Sequence, residues 1–153
     1  AFGLVLDAGG DVVGYALGAP DTAAFDVEAA EAWWPRLRTR YPLPDGAEPY
    51  DGTDGGLNAL MHRPPTTPTE LLAAYPAHLH IDLLPEAQGT GAGRRLIEAL
   101  EDSLRERGAT GVHLGVDPAN VAAQGFYAHV GYRRLAPGEL GTPPGVYYVK
   151  ALS

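Results

Sequence analysis

The residues best suited to do chemistry form a glycine-rich loop, Gln88-Gly89-Thr90-Gly91-Ala92-Gly93. The loop separates a strand-like segment from a helix-like segment, so its backbone N–H groups and the helix dipole would favour an anion. Gly91 and Gly93 would let phosphate oxygens approach the amides, and Arg94 and Arg95 would add positive charge. The segment therefore predicts a pyrophosphate site, and a glycine-rich turn that binds nothing is the alternative.

Two familiar phosphate loops fit this segment poorly. The nucleotide P-loop requires a lysine after its last glycine, and here Arg94 follows Gly93. The dinucleotide fingerprint requires Gly-x-Gly-x-x-Gly, whereas Gly93 falls one place too early for it. The loop is therefore predicted to bind a pyrophosphate group, but as a different type of loop from these two.

Two histidines lie on the strand that is predicted before the loop. His78 and His80 are two residues apart, which places both side chains on one face and invites a metal interpretation. No third ligand follows at the expected spacing, and the sequence contains no cysteine. We therefore predict no metal site, and His113 and His129 give no further signal.

The elements that must position these residues alternate between strands and helices. Alternating apolar residues predict strands, and apolar residues spaced three or four apart predict helices. The predicted strands are residues 2–6, 12–17, 77–84, 112–116, 132–135 and 146–152. The predicted helices are residues 26–40, interrupted at Pro35, residues 67–75, the segment from the loop to Gly108, and residues 120–130. The sequence thus predicts an α/β fold with a central mixed sheet.

Two features lie outside the regular pattern. Residues 42–65 are rich in Pro, Gly and Asp and are predicted to form a long surface insertion loop without regular structure. Trp33 and Trp34 could line a substrate pocket, but we expect them to be buried in the core, the more frequent outcome for tryptophan.

Size and charge limit the possible functions. A chain of 153 residues with 45% hydrophobic residues is expected to form a single domain, 1–153. The net charge of −8 argues against nucleic acid as the main partner. The sequence has no apolar run long enough for a membrane span and no signal-peptide pattern, so we expect no membrane partner and a cytoplasmic location.

The order of the motifs resembles that of the Gcn5-related N-acetyltransferases (GNAT). A strand, Pro85, Gln88-x-x-Gly91-x-Gly93, an amphipathic helix, a strand, Asn120 and then Phe126-Tyr127-x-x-x-Gly131-Tyr132 follow one another within residues 77–135. The resemblance implies the GNAT fold, in which a mixed, mostly antiparallel sheet with splayed central strands is flanked by helices. It also implies that the first strand and helices of that fold are missing.

A closer resemblance covers nearly the whole chain. Gly14-Tyr15-Ala16-Leu17-Gly18, Trp33-Trp34-Pro35 and the helix at 71–75 look like the acetyltransferase-like domain at the C-terminus of O-GlcNAcase and its stand-alone bacterial relatives. In animal O-GlcNAcases the equivalent loop is degenerate and the domain looks like a pseudo-acetyltransferase. Here the loop is complete, so the resemblance implies that acetyl-coenzyme A binds.

The resemblance also implies roles for individual residues. Tyr127 matches the tyrosine that protonates the departing thiolate, and backbone groups of Leu83 and Leu84 match those that hold pantetheine and the acetyl carbonyl. Asn120 matches a polar residue on the pantetheine arm, although Asp-Pro-Ala-Asn is equally typical of a helix start. The implied cofactor contacts are Leu83, Leu84, Gln88, Gly89, Thr90, Gly91, Ala92, Gly93, Arg94, Asn120 and Tyr127.

The attacking amine must lose a proton, which requires a general base within reach. Asp82 is the first candidate, because a carboxylate in an otherwise apolar strand needs a partner or a task. Asp117, at the end of the next strand, is the second, although a carboxylate before a proline is usually a cap.

The predicted function is direct transfer of an acetyl group from acetyl-coenzyme A to an amine. Protein lysines, small amines and amino sugars are all compatible acceptors. The alternative is a non-catalytic acetyl-coenzyme A-binding or interaction module.

Overall fold

The computed structural model describes residues 1–46, 48 and 53–152. These residues form two compact units. The first comprises residues 1–22 and the chain from Pro68 onward, and the second comprises residues 23–67. Within the described ranges, no helix has both the length and the apolar character that crossing a bilayer requires.

A six-stranded sheet forms the centre of the first unit. Its strands are β1 (Phe2–Asp7), β2 (Val12–Ala19), β3 (Ala77–Leu83), β4 (Gly111–Val116), β5 (Arg133–Arg134) and β6 (Val146–Ala151). Their order across the sheet is β1-β2-β3-β4-β6-β5, and only β3 and β4 are parallel neighbours. This confirms the predicted α/β fold with a mixed, mostly antiparallel sheet.

Six α-helices accompany the described strands. They are α1 (Thr22–Glu28), α2 (Trp34–Arg40), α3 (Asp54–His62), α4 (Thr69–Ala74), α5 (Ala92–Glu106) and α6 (Val121–His129). The longest, α5, follows the glycine loop and packs against β1, β2 and β3. Its apolar residues recur at helical spacing and are almost completely buried, which gives the helix one face toward the sheet. They are Leu96, Ile97, Leu100 and Leu104.

A buried carboxylate connects α5 to β6. Glu101 is 2% exposed, and its carboxylate accepts hydrogen bonds from Nζ of Lys150 at 2.8 and 2.9 Å and from the hydroxyl of Tyr132 at 2.9 Å. Lys150 also donates to the carbonyl of Val130 at 3.0 Å. Burial, together with the charge of Glu101, raises the pKa of Tyr132 far above its usual value. The cluster therefore links α5, β6 and the turn after α6.

A half-buried histidine supports the start of β3. Nδ1 of His78 lies 2.8 Å from the hydroxyl oxygen of Thr22, which donates to the carbonyl of Pro76 at 2.8 Å. Burial, aided by the charge of His113, lowers the pKa of His78 to about 4. His78 is therefore neutral in the folded protein at neutral pH.

This histidine is expected to make stability depend on pH. In the unfolded chain its pKa is about 6.5, so as the pH falls the unfolded state takes up the proton first. The contribution of neutral His78 to the free energy of unfolding is complete above pH ~6.5. It falls by about 3 kcal/mol as the pH approaches 4. Urea unfolding of the wild type and His78→Gln between pH 7 and 4 measures it. Between pH 7 and 4 the free energy of unfolding should fall by about 3 kcal/mol more in the wild type than in the variant. Equal losses in the two proteins would contradict the lowered pKa of His78.

The second unit corrects three expectations from the sequence. The insertion loop predicted at 42–65 contains α3, which begins where the side chain of Thr53 accepts a hydrogen bond from the amide of Gly56 at 3.0 Å. The remainder of this prediction lies partly outside the described residues. The segment 26–40 was expected to split into two short helical pieces at Pro35. Two pieces are present, α1 and α2, but a π-helical turn, Ala29–Trp33, joins them, and Pro35 lies in the first turn of α2, where no backbone donor is required. Trp33 is 61% exposed, so its predicted burial is wrong.

Candidate active site

The two parallel strands of the sheet separate soon after they meet. β3 and β4 pair only through Ala77 with Val112 and His78 with His113. On its other edge β3 stays paired with β2 as far as Leu83. The rest of β3 and β4 therefore border an open gap, which confirms the predicted splay of the central strands.

Backbone groups of β3 point into this gap. The amide of Leu84 donates to the carbonyl of Val13 at 2.9 Å, so residue 84 faces β2. Because the hydrogen-bonding direction alternates along a strand, the N–H and C=O groups of Ile81 and Leu83 point the opposite way, into the gap. The carbonyl of Leu83 accepts a hydrogen bond from the side chain of Gln88 at 3.1 Å. Leu83 thus offers an amide to the gap, whereas the amide of Leu84 is already bonded.

A cavity of about 580 Å³ adjoins the gap and the glycine loop. Eight of the residues singled out in the sequence line it: Asp82, Leu83, Gln88, Gly89, Gly91, Gly93, Arg94 and Asn120. Five others do not: Leu84, Thr90, Ala92, Asp117 and Tyr127. The loop, the end of β3 and the start of α6 are therefore brought together around one cavity.

The three glycines of the loop are required for different reasons. Gly89 and Gly91 have φ of 71° and 78°, a conformation that favours glycine, and Gly91 is the N-cap of α5. Gly93 is helical and buried. A Cβ there would lie 2.9 Å from Cδ1 of Leu83 and 3.3 Å from the ring of Phe126. Gly93 therefore permits close packing of α5 against two walls of the cavity, in addition to the role expected from the sequence.

Thr90 and Ala92 stabilise the shape of the loop. The hydroxyl of Thr90 donates to the carbonyl of Ala87 at 2.7 Å and accepts a hydrogen bond from the amide of Ala92 at 3.3 Å. The next two amides, those of Gly93 and Arg94, have no acceptor among the described residues, as is usual in the first turn of a helix. These amides and the Arg94 guanidinium make this end of the cavity attractive to an anion. Arg95 is exposed and does not line the cavity.

Asp82 has two hydrogen-bonding partners. Its Oδ2 atom accepts from the hydroxyl of Tyr15 at 2.8 Å and lies 2.9 Å from Nε2 of His80. The hydrogen bond from His80, followed by that from Tyr15, lowers the pKa of Asp82, and the same contact raises the pKa of Tyr15. Asp82 is therefore ionised, with both of these hydrogen bonds made to Oδ2, rather than a lone carboxylate.

Tyr127 lies in a buried cluster of aromatic rings beside the cavity. It is 7% exposed, and its ring is 5.4 Å from that of Phe126, 5.5 Å from that of Tyr132 and 5.9 Å from that of Tyr148. Burial, with a contribution from the charge of Asp82, raises the pKa of Tyr127 to about 12. The phenol therefore stays protonated at neutral pH, so its O–H group is available as a donor.

The two polar residues after β4 differ in position. Oδ1 of Asn120 accepts from the amide of Ala123 at 3.0 Å, which makes it the N-cap of α6, and the residue also lines the cavity. Oδ1 of Asp117 accepts from the amide of Ala119 at 2.8 Å and lies outside the cavity lining. Asp117 is therefore a turn cap, as the proline after it suggested.

Sequence reasoning missed six lining residues. They are Ile81, Ala122, Ala123, Phe126, His129 and Val130. All but the first belong to α6 or its C-cap, and Ala122, Phe126 and His129 follow the four- and three-residue spacing of one helix face. That spacing was available in the sequence, but the small side chains at the start of α6 gave no sign of which face would meet the loop.

Known proteins share this architecture. A family model described as the acetyltransferase (GNAT) family matches residues 61–132. The crystal structure of SsHAT is 40% identical, superimposes with a TM-score of 0.82, and aligns with 99% of this chain and 72% of its own.

Two more distant structures show the same fold. The structure of yncA from Salmonella typhimurium, with its cofactor acetyl-CoA, is 19% identical, with a TM-score of 0.54 over 99% of this chain and 64% of its own. The GNAT domain of S. lividans PAT is 18% identical, with a TM-score of 0.56 over 97% of this chain and 59% of its own.

Proposed function

The chain belongs to the acetyltransferase (GNAT) family, and from that membership we propose that it is an N-acetyltransferase. In this proposal the cavity binds acetyl-coenzyme A, and the acetyl group passes directly to an amine. The observation that carries the proposal is the continuity of the cavity, which is lined at one end by the glycine loop and at the other by the splayed end of β3.

The residues at the loop end fit the pyrophosphate of this cofactor. The amides of Gly93 and Arg94 have no acceptor in the described part of the chain and lie at the positive end of a 15-residue helix. Gly89 and Gly91 present no side chain that would keep an anion away from the backbone. The Arg94 guanidinium adds a positive charge, which the carboxylate of Glu98, 3.5 Å away, partly neutralises.

The residues at the gap end fit a thioester. When bound, acetyl-coenzyme A supplies an acyl thioester, whose carbonyl carbon is the electrophile. The amide of Leu83, which points into the gap, would stabilise negative charge that develops on the acyl oxygen. The side chain of Gln88 holds the carbonyl of Leu83, so the loop and this amide are positioned together. In the proposal Asn120 contacts the pantetheine arm from the opposite wall.

Tyr127 is proposed to donate a proton or hydrogen bond to the departing sulfur. Its raised pKa means that the phenol is protonated at every pH at which the enzyme would work. It also makes the phenol a weaker acid than an exposed tyrosine, so full proton transfer to a thiolate requires a change in its surroundings. We therefore assign the hydroxyl chiefly to hydrogen bonding of the developing thiolate.

A transfer assay with Tyr127→Phe tests this function. Wild-type protein, acetyl-coenzyme A and a panel of amines are mixed, and release of the coenzyme A thiol is followed with mass detection of the acetylated amine. We expect the wild type to acetylate at least one amine. In Tyr127→Phe, kcat should fall about 100-fold with unchanged acetyl-coenzyme A affinity, because only the hydroxyl is lost.

Tyr148→Phe is the matched control. Tyr148 is a buried tyrosine of the same aromatic cluster, its ring lies 5.9 Å from that of Tyr127, and it has no role in the proposed reaction. Its variant should keep nearly all activity. Equal kcat values for the wild type and Tyr127→Phe would remove Tyr127 from the mechanism. Binding of acetyl-coenzyme A without transfer to any amine would favour the non-catalytic module instead.

We propose further that the chain is related to the acetyltransferase-like domain of O-GlcNAcase. The support is the set of motifs outside the cofactor site, Gly14-Tyr15-Ala16-Leu17-Gly18 and Trp33-Trp34-Pro35. Tyr15 within the first motif bonds to Asp82, which connects this motif to the cavity. In this proposal the complete glycine loop distinguishes the chain from the degenerate animal domains.

A further inference from the structure

A polar cluster of Tyr15, His80 and Asp82 lies on the sheet face opposite α5. Gly18 and Ala16 point toward α5, so their neighbours on β2 point away from it. Tyr15 is the register partner of Asp82, and Leu17 is that of His80, which places the cluster on the same outer face. All three members are exposed, and Asp82 also lines the cavity. The cluster is therefore open to solvent and touches the cavity through Asp82.

The hydrogen bond to Asp82 fixes the tautomer of His80 in its neutral form. An ionised carboxylate can only accept, so the imidazole nitrogen that faces Oδ2 of Asp82, Nε2, must carry a hydrogen. The neutral ring then has its lone pair on Nδ1. This atom has no protein partner among the described residues, and the side chain is 60% exposed. Nδ1 of His80 is thus a basic nitrogen that an incoming molecule can reach.

We propose that His80 is the general base for the acceptor amine and that Asp82 positions its ring. This inference rests on the proposed acetyl transfer. The amine nitrogen forms a bond to the acetyl carbon, and the proton it loses passes to Nδ1 of His80. The carbon–sulfur bond of the thioester breaks, sulfur keeps the electron pair, and the thiolate takes its proton from Tyr127 or solvent.

Asp82 is poorly suited to take this proton itself. The two hydrogen bonds to Oδ2 stabilise its ionised form and hold the pKa of the carboxyl below its usual value. A carboxylate of that kind is a much weaker base than a neutral imidazole nitrogen. His80 therefore replaces Asp82 as the candidate base, and Asp82 becomes a positioning residue.

The same proton transfer would assist the leaving group. The charge of Asp82 is one cause of the high pKa of Tyr127. A protonated His80 next to Asp82 offsets that charge, which lowers the pKa of Tyr127 and makes the hydroxyl a better donor to sulfur. His80, the proposed base, and Tyr127, the proposed donor to sulfur, are thus coupled through the carboxylate of Asp82.

The surroundings of His80 contain few other titratable groups. Asp82 and His78 share its strand and face, and Tyr15 approaches from β2 with its ring 5.9 Å from the imidazole. Leu17, directly opposite on β2, is apolar. On the side of β4, His113 contacts His78 with a ring distance of 6.1 Å. The pKa of His78 is about 4, so this neighbouring histidine is neutral at pH 7.

The test compares the pH dependence of kcat/KM for the wild type and His80→Gln. We expect the wild type to lose activity as the pH is lowered, because protonation of the base removes the lone pair that accepts the proton of the amine. His80→Gln should lose about 100-fold at pH 7, lack that acidic limb, recover activity with added imidazole, and keep its acetyl-coenzyme A affinity within twofold. A control, His62→Gln, removes a histidine whose ring bonds to the carbonyl of Tyr41, and it should behave like the wild type.

The outcomes separate this inference from the proposed function. If the wild type transfers acetyl groups and His80→Gln keeps both the rate and the acidic limb, the base is another group and the N-acetyltransferase proposal stands. If imidazole does not restore the activity lost in His80→Gln and acetyl-coenzyme A affinity falls in parallel, His80 has a structural role and is not the base. If the wild type acetylates no amine at any pH, both proposals are overturned.

Discussion

Glu101→Gln is expected to lower the free energy of unfolding by about 3–5 kcal/mol, the usual result of leaving one charge of a buried pair without its partner. The carboxylate is 2% exposed and accepts three hydrogen bonds from Lys150 and Tyr132. A neutral amide cannot balance the charge of Lys150 or satisfy all three donors. Urea unfolding at pH 7 measures the change.

Glu98→Gln on the same helix is the matched control. Glu98 pairs with Arg94 at 3.5 Å, and its side chain is 52% exposed, so its loss should change stability by less than about 1 kcal/mol. Replacing the buried pair together, in Glu101→Leu with Lys150→Met, should recover much of the lost stability, because both charges are then removed. Equal effects of the Glu101 and Glu98 single variants would contradict the buried-pair account.

Gly93→Val is expected to weaken acetyl-coenzyme A binding about 1,000-fold. The first added carbon would lie 2.9 Å from Leu83 and 3.3 Å from Phe126, so both side chains would be pushed into the cavity they line. The start of α5 would also shift, which removes the two free amides from the anion. Loss of two charge-assisted hydrogen bonds, ~1.5–3 kcal/mol each, accounts for a factor of that size.

Gly125→Val serves as the control for this substitution. Gly125 lies in α6, and a Cβ built there meets no atom within 4 Å. Both variants should retain the helical and sheet signals of the wild type by circular dichroism, since overpacking costs about 1–3 kcal/mol. Only Gly93→Val should lose affinity in a calorimetric titration. A folded Gly93→Val protein with wild-type affinity would show that the loop is not the cofactor site.

Local patterns in the sequence were sufficient for the elements nearest the site. Leu96, Ile97, Leu100 and Leu104 mark one face of α5, and the glycines before them mark its start. Both signals are contained within a few residues, so no knowledge of the fold was needed. The splay of β3 from β4 is different, because it depends on pairing between distant segments. It was predicted only through the family resemblance.

The misses arose where tertiary contacts decide the outcome. α3 was hidden because Gly55 and Gly56 weaken its first turn, and the cap by Thr53 compensates. Glu101 lies four residues after Ile97 on the apolar face of α5, but nothing local showed that Lys150 and Tyr132 would meet it there. Asp82 was recognised as a carboxylate that needed a partner. One partner, His80, lies two residues away on the same strand face, as the alternation of β3 indicated. The other, Tyr15, came from pairing between β2 and β3, which the sequence did not reveal.

Calorimetric titration of the wild-type chain with acetyl-coenzyme A tests the central claim most directly, with NAD as a control for general nucleotide binding. The structure predicts saturable binding at one site for acetyl-coenzyme A and no comparable heat from NAD, because the loop lacks the dinucleotide spacing. Equal binding of both compounds, or no binding of acetyl-coenzyme A by folded protein, would contradict the assignment of the cavity.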